Sequence, residues 1–410
     1  MQFIRLVAVL AALIPLMATA ASARPYGMAE VLRRVPKRAM PDSSSTRPRV
    51  ALKPTSNKFR RLGRWTMASP YADSLAASWC GASISFCFSG SYLSIRTGSR
   101  TERKDSFNGG TPMIACSVSA RSEGGGDSST NENQVKTYDC GPSQEVVLVD
   151  EDTPTARPVP VKITLTLVDW ASVFELESVV VDNEDSVQAF PDDPRSVRVL
   201  AIGDSITAGY SDGSQPIPLG CLSAYPHIAK AQLHARTGIE LELELVAFPG
   251  VTLVAPTPEE ADEGAGQGMI DRFFHASQWS DGPAALDEQP SIIVIALGTN
   301  DDAQDVSPIN SPQPCMLSSA HPFPDFTADS DPETTESAEQ VSVTRDLSSA
   351  LASLRSNAGQ GVEFHEWDIG GDLRREHTMD GLHPTIYGHH MLGDTLAKQL
   401  TTLVSSIAVS

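Results

Sequence analysis

Two hydrophobic periodicities divide the chain. From about Arg64 to Asn183, apolar residues recur at every second position and the runs stop at turn residues. Ile84, Phe86 and Phe88 alternate with Ser85 and Cys87, while Ile114, Cys116 and Val118 share one face. Val161, Ile163, Leu165 and Leu167 do the same, and Phe174 and Leu176 alternate with Glu175 and Glu177. Gly109-Gly110, Gly124-Gly125-Gly126 and the Pro-rich stretch 154–160 separate these runs. Many short alternating strands without a helical period predict an all-β sandwich over residues 63–186. Residues 187–196, with Pro191, Pro194 and three charges, read as a linker.

Beyond the linker, strand and helix alternate. Val197–Ile202 is a strand of apolar character, and Ser223 can cap a helix whose apolar face is Tyr225, Ile228, Ala229 and Leu233. Gly238 stops that helix. Leu241, Leu243 and Leu245 alternate with Glu242 and Glu244, which predicts a strand at or near a sheet edge with one face wet. Ser291–Leu297 is apolar throughout, as a parallel strand buried on both faces should be. Val343, Leu347, Ala350, Leu351 and Leu354 mark an amphipathic helix, Val362–Ile369 a further strand, and Leu392, Leu396, Leu400 and Leu403 the closing helix. The expectation for 197–408 is an α/β domain, a three-layer α/β/α sandwich on a parallel sheet. Its principal strands are expected at 197–202, 241–247, 291–297 and 362–368. Between Asp301 and Gln340 lies a Pro-rich, acidic stretch without periodicity, which reads as a lid or as a disordered segment, disorder being preferred.

Charge and the N-terminus add a second layer. Arg5 precedes a 12-residue apolar run, Leu6 to Met17, followed by Ala18-Thr19-Ala20 and Ala21-Ser22-Ala23. Residues 1–23 therefore read as a secretory signal with two small-residue cleavage sites, the run being too short to span a bilayer. Arg24 to Arg64 hold 12 Lys/Arg against Glu30 and Asp42. Residues 24–62 are read as a basic, disordered leader with paired-basic sites at Lys37-Arg38 and Arg60-Arg61. The whole chain carries −20, and with Arg5 counted that leaves −31 for residues 65–410. Such a body repels nucleic acid and anionic membranes, so neither is expected as a partner, and a monomer is expected.

Six cysteines in a secreted chain are compatible with disulfides. Cys221 and Cys315 are the candidate pair, since each follows a strand whose end carries a candidate site residue. No C-x-x-C or H-E-x-x-H spacing appears, so no metal and no cofactor are expected, and His389-His390 reads as two helix residues.

The chemistry concentrates in four blocks. Gly203-Asp204-Ser205-Ile206-Thr207 ends the first parallel strand, where open α/β sheets place their sites. Gly250, in Phe248-Pro249-Gly250, follows the second strand, and Asn300, in Gly298-Thr299-Asn300-Asp301, follows the third. Asp380-Gly381-Leu382-His383-Pro384 lies just before the closing helix. A serine needs a neighbouring imidazole to take its proton, and a carboxylate can hold the other ring nitrogen. Ser205, His383 and Asp380 supply these groups.

In order and spacing the four blocks resemble those of the GDSL, or SGNH, hydrolases. That resemblance implies Ser205 as nucleophile, His383 as base and Asp380 as its acidic partner. It also implies an oxyanion hole built from the N–H groups of Ser205 and Gly250 and the side-chain amide of Asn300. The resemblance extends toward carbohydrate esterase family 2, on Gly63-Arg64, Trp79-Cys80-Gly81, Phe86-Cys87-Phe88-Ser89-Gly90, Gly209-Tyr210, Ser223-Ala224-Tyr225 and Trp279. That family joins a jelly-roll β-sandwich to the hydrolase domain and removes acetyl groups from plant polysaccharides. The resemblance thus implies a secreted serine esterase acting on acetylated polysaccharides or oligosaccharides. Two alternatives stand beside it: a short-chain or lipid acyl esterase on the same site, or a carbohydrate-binding protein with a decayed esterase domain.

Overall fold

The computed structural model of the chain describes residues 48–69, 72–120, 134–150, 160–189, 196–253, 255–256, 268–284, 289–303, 365 and 367–409. The signal segment, the Lys37-Arg38 site, the Val343–Leu354 helix, Cys315, residues 304–340 and half of the Val362–Ile369 strand lie outside them.

The alternating runs of the N-terminal half form two antiparallel sheets. One carries Glu145–Val149, Leu93–Thr97, Ser172–Val181, Ala72–Ala77 and Thr66–Ser69 in that order, with Val50–Leu52 and Glu102–Arg103 also paired to Ser172–Val181. The other runs Val187–Gln188, Ser83–Phe88, Val161–Leu167, Ile114–Ala120, Gln134–Tyr138, with Arg60–Leu62 added on Ser83–Phe88. The inward residues of both sheets share one core: Ile84, Phe86 and Phe88 meet Leu93, Ile95, Phe174, Leu176 and Val179. The period-two reading thus gives a sandwich, and its start moves. Val50–Leu52 and Arg60–Leu62 are strands of the sandwich, so the leader does not extend to residue 62. Arg60-Arg61 lies inside a hydrogen-bonded strand and is not an open processing site. Charge alone suggested a leader there. Three-residue strands show too little alternation to be seen against it.

The C-terminal half is built on a parallel sheet whose described strands run Leu241–Ala247, Val197–Gly203, Ile292–Ala296. Val197 lies opposite Leu241 and Val199 opposite both Leu243 and Ile292, so their apolar residues stand on one face. Helices Tyr225–Thr237 and Ile386–Val409 pack on that face, burying Tyr225, Ala229, Leu233, Leu392, Leu396 and Leu400 against it. His389 and His390 do lie in the closing helix. On the opposite face Leu200, Ile202 and Val246 are covered by Trp79 of the sandwich and by Met269. Of the expected second helical layer, the described residues contain only the one-turn helix Met269–Arg272. Among the described residues no helix is long and apolar enough to cross a membrane.

The two halves share a polar seam as well as that apolar one. Among the described strands Leu241–Ala247 is at the sheet edge, as expected, but its glutamates are half-buried and paired. Glu242 pairs with Arg60, and Glu244 accepts from Arg64 Nε at 3.2 Å. Arg64 is only 3% exposed and also donates to the carbonyl oxygens of Phe273 and His275, with its guanidinium over the Phe273 ring. Burial holds the Arg64 guanidinium below its ordinary value, and the Glu244 carboxylate offsets this only in part. Trp79 Nε1 donates to His275 O at 3.2 Å and Ser78 Oγ to Ser277 Oγ at 2.8 Å. The sandwich therefore grips the hairpin His275–Ser277/Ser280–Pro283, which carries Trp279 toward the strand ends.

Candidate active site

The site begins where Val197–Gly203 stops. Ser205 opens a one-turn helix, Ser205–Ala208, capped by the Asp204 side chain, which accepts from Ile206 N–H at 3.0 Å. The turn is tight: a Cβ on Gly203 would sit 2.0 Å from Thr207 Oγ1, so only glycine lets the strand and helix approach this closely. Behind Ser205, Thr207 Oγ1 and the Tyr225 hydroxyl lie 3.0 Å apart. Tyr225 N–H donates to His389 Nδ1 at 3.3 Å. Burial, with the charges of His383 and His390, pulls the His389 imidazole down to about 3, so this ring is a neutral brace and not a second base.

Three of the expected residues come together across about 180 positions of sequence. Ser205 Oγ is 2.9 Å from His383 Nε2, and His383 Nδ1 is 2.6 Å from Asp380 Oδ2. Asp380 Oδ1 accepts from the N–H groups of Leu382 and His383 at 2.9 and 2.7 Å, which locks the carboxylate in place. Partial burial pushes the Asp380 carboxyl up. Hydrogen bonds from the His383 ring and the two N–H groups, together with the His383 charge, outweigh it and hold the group below the ordinary aspartate range. The loop itself is closed by a bridge between Thr378 and Pro384. Tyr210 tilts over the imidazole, ring centroids 4.5 Å apart, and limits its rotation.

Gly250 lies in the turn after Leu241–Ala247 at φ +76°, the left-handed region that favours glycine. Asn300, in the short helix Thr299–Ala303, donates through Nδ2 to Val251 O at 2.8 Å. Its neighbour Asp301 accepts Leu253 N–H on both carboxylate oxygens at 2.9 Å. The loops after the second and third strands are therefore tied directly to each other. An asparagine amide has two N–H bonds, and the bond to Val251 uses one of them.

The walls contain residues that the motifs did not point to. Trp170 packs edge-on against Phe248 with centroids 5.4 Å apart and stacks obliquely with Tyr210 at 6.1 Å. Phe248 in turn meets Trp279 edge-on at 5.5 Å. Trp170 belongs to the sandwich, in the turn beside Asp169, a buried carboxylate held by Arg103 and Ser172. An aromatic in a β-sandwich reads as core, and nothing local signals that it serves another domain. Trp279 was among the residues carrying the family resemblance, and its place against Phe248 gives that likeness a physical basis.

The expected bridge from Cys221 is not seen. Cys221 is a free, fully buried thiol, 3.7 Å from Leu167 O, and its neighbour is Cys80 of the sandwich, not the rim of the site. Burial and the adjacent Cys80 thiol push it up. The residue faces inward because its one-turn helix, Gly220–Ser223, lies against the sandwich, where Cys221 N–H donates to Val168 O. Among the described residues no group of three His, Cys, Asp or Glu is placed to hold a metal ion.

Residues 201–391 match the GDSL-like Lipase/Acylhydrolase family. Ser205, Gly250, Asn300, Asp380 and His383 all fall within that span, and the sandwich falls outside it. No curated protein sequence matches the chain. Solved structures extend the likeness to both domains. A family two carbohydrate esterase from Clostridium thermocellum, in complex with cellohexaose, is 14% identical over 85% of this chain and 99% of its own, with a TM-score of 0.53. A family two carbohydrate esterase from Cellvibrio japonicus is 16% identical over 87% and 98%, with a TM-score of 0.52. A salicylyl-acyltransferase from a tetracycline biosynthetic pathway is 14% identical over 88% and 99%, with a TM-score of 0.51. At such identities the likeness is one of fold: a GDSL-like domain preceded by a sheet-rich domain.

Proposed function

We propose that this GDSL-like protein is a secreted serine esterase that removes O-acetyl groups from carbohydrates. The observation that carries the reading is the unbroken relay Ser205–His383–Asp380, with contacts of 2.9 and 2.6 Å at the end of a parallel strand. His383 Nε2 takes the proton of Ser205 Oγ as the oxygen bonds to the acetyl carbonyl carbon. Asp380 holds Nδ1–H and stabilises the imidazolium that forms. The negative charge on the carbonyl oxygen is met by the N–H groups of Ser205 and Gly250 and by Asn300 Nδ2, donors worth roughly 3–4 kcal/mol each in such sites. Collapse breaks the ester bond, and His383 returns its proton to the departing sugar oxygen. Water, activated by the same imidazole, then attacks the acyl-enzyme and acetate leaves.

The intact relay speaks against a decayed site. The choice of a sugar ester is supported by the carbohydrate esterase likeness of both domains and by an acidic body ill suited to anionic lipid surfaces. The test is hydrolysis of p-nitrophenyl esters and acetate release from acetylated xylan, mannan and pectin. Acetyl esters should be cleaved best, with activity falling steeply by octanoate, and Ser205→Ala should lose several orders of magnitude in rate while keeping its fold. Near-full activity in Ser205→Ala would overturn the mechanism. A preference for octanoate or longer would replace the sugar reading with the lipid one.

A further inference from the structure

The rim beside His383 carries an exposed aromatic residue of the sandwich. Phe107 is 57% exposed, yet its ring lies 6.1 Å from that of Tyr210, tilted by 36°, and Tyr210 in turn covers His383. The exposure is not that of a loose loop. Lys104 and Asp105 N–H both donate to Ala171 O, at 2.7 and 3.2 Å, next to Trp170. Phe107 N–H donates to Asp105 Oδ1 at 2.8 Å, and the buried Asn108 side chain donates to Thr111 O and accepts from Gly110 N–H. At Gly109, φ +63°, a Cβ would lie 2.2 Å from Ser211 O, so the loop backbone rests directly on the residue after Tyr210. A large apolar ring is therefore held in water by a fixed loop, two ring contacts from the imidazole. A lone exposed apolar residue is ordinary; what sets Phe107 apart is its fixed place against Tyr210, the ring that covers His383.

The charges around it narrow the ligand. Tyr210 lies in the field of the Asp212, Asp380 and Asp105 carboxylates. A phosphate, sulfate or uronate would be repelled. A neutral sugar ring suits the wall on both counts, since its C–H face is apolar and its hydroxyls can donate to carboxylates.

We infer that Phe107, together with Tyr210, forms a stacking subsite for a neutral sugar ring of the acetylated substrate, so that the sandwich supplies part of the specificity. The inference rests on the sugar-ester reading above. It differs from that reading in assigning recognition to a residue outside the GDSL-like span, on the domain that would otherwise serve only as scaffold.

Two measurements test it. The first is the ratio of kcat/KM on an acetylated neutral xylo-oligosaccharide to kcat/KM on p-nitrophenyl acetate. Phe107→Ala should lower this ratio about tenfold, through KM on the oligosaccharide, and Phe107→Trp should restore it. The second is calorimetric titration of the Ser205→Ala protein with unacetylated xylohexaose and with an oligogalacturonate of equal length. Adding Phe107→Ala should weaken xylohexaose binding about tenfold, and the oligogalacturonate should bind more weakly than xylohexaose throughout. Equal losses on both esters, no change in xylohexaose affinity, or no xylohexaose binding by the Ser205→Ala protein would each overturn the subsite. If binding depends on Phe107 but no acetylated saccharide is hydrolysed, the deacetylase reading fails and the subsite stands.

Discussion

Asp204, one residue before Ser205, has two demands on its carboxyl group. As a cap it accepts Ile206 N–H, which favours the charged form, yet it is fully enclosed. Burial, with Asp301 nearby, pushes it up to about 7 against the opposing hydrogen bonds from Ile206, its own N–H and Thr299. The sign of the consequence follows from proton binding. Between the ordinary aspartate value and about 7, the folded state holds a proton that the unfolded chain has released. Stability contributed here is therefore present at low pH and lost as pH rises through that window, at about 1.4 kcal/mol per unit. Asparagine caps a helix nearly as well and does not ionise. Asp204→Asn should melt close to the parent at pH 4 and increasingly above it toward pH 7.5, in thermal unfolding followed at both. A difference between the two proteins that stays constant with pH would count against this account. At this scale the sequence is uneven as a guide. Ser205, Asp380 and His383 are short polar signatures at strand and helix boundaries, where chemistry is readable. Phe107 and Trp170 gain their places from where a second domain lands.

At the scale of elements, Leu241–Ala247 shows how a correct pattern can lead to a wrong environment. Alternating Leu and Glu gave the strand and its place at or near a sheet edge, and among the described strands the structure agrees with both. The glutamate face was expected to be wet because a one-dimensional pattern cannot distinguish water from a buried cation. Here the cations are Arg60, in a stretch that reads as leader, and Arg64, at the start of the sandwich, both about 180 residues away. Arg64 has three acceptors and almost no access to water, so its loss would strand Glu244 and two carbonyls in a partly dry seam. Removing one partner of such a pair costs about 3–5 kcal/mol, against less than about 1 for an exposed pair. Arg64→Met should lower stability by that larger amount in urea unfolding, and Arg64→Met with Glu244→Leu should recover part of it. A loss below about 1 kcal/mol would mean the seam is wetter than its geometry implies.

For the whole molecule, the order of parts was legible: a sandwich, then alternating strands and helices with four blocks on one rim. Their mutual placement was not, because it depends on contacts between residues with no periodic relation. Trp79, buried to 1% exposure, packs on the sheet face of Leu200, Ile202 and Val246. Taking an aromatic of this size out of water removes about 150–250 Å², on the order of 4–6 kcal/mol before entropy. Arg60, Arg64 and the Gly81 backbone against Leu245 cover the rest of the edge strand. The sandwich also bears on the chemistry, through the hairpin it grips: Arg64 and Trp79 hold His275, the hairpin carries Trp279, and Trp279 packs on Phe248 two residues before Gly250. A protein beginning at Ser196 would expose this apolar face and leave Glu242 and Glu244 without their arginines. Such a truncated chain should lose cooperative unfolding, bind a hydrophobic dye and show little p-nitrophenyl acetate turnover, although it keeps every residue of the relay. Recovery of a cooperatively folded, active hydrolase half from that truncation would show the sandwich to be an appendage, and the coupling through Trp79 and Trp279 to be incidental.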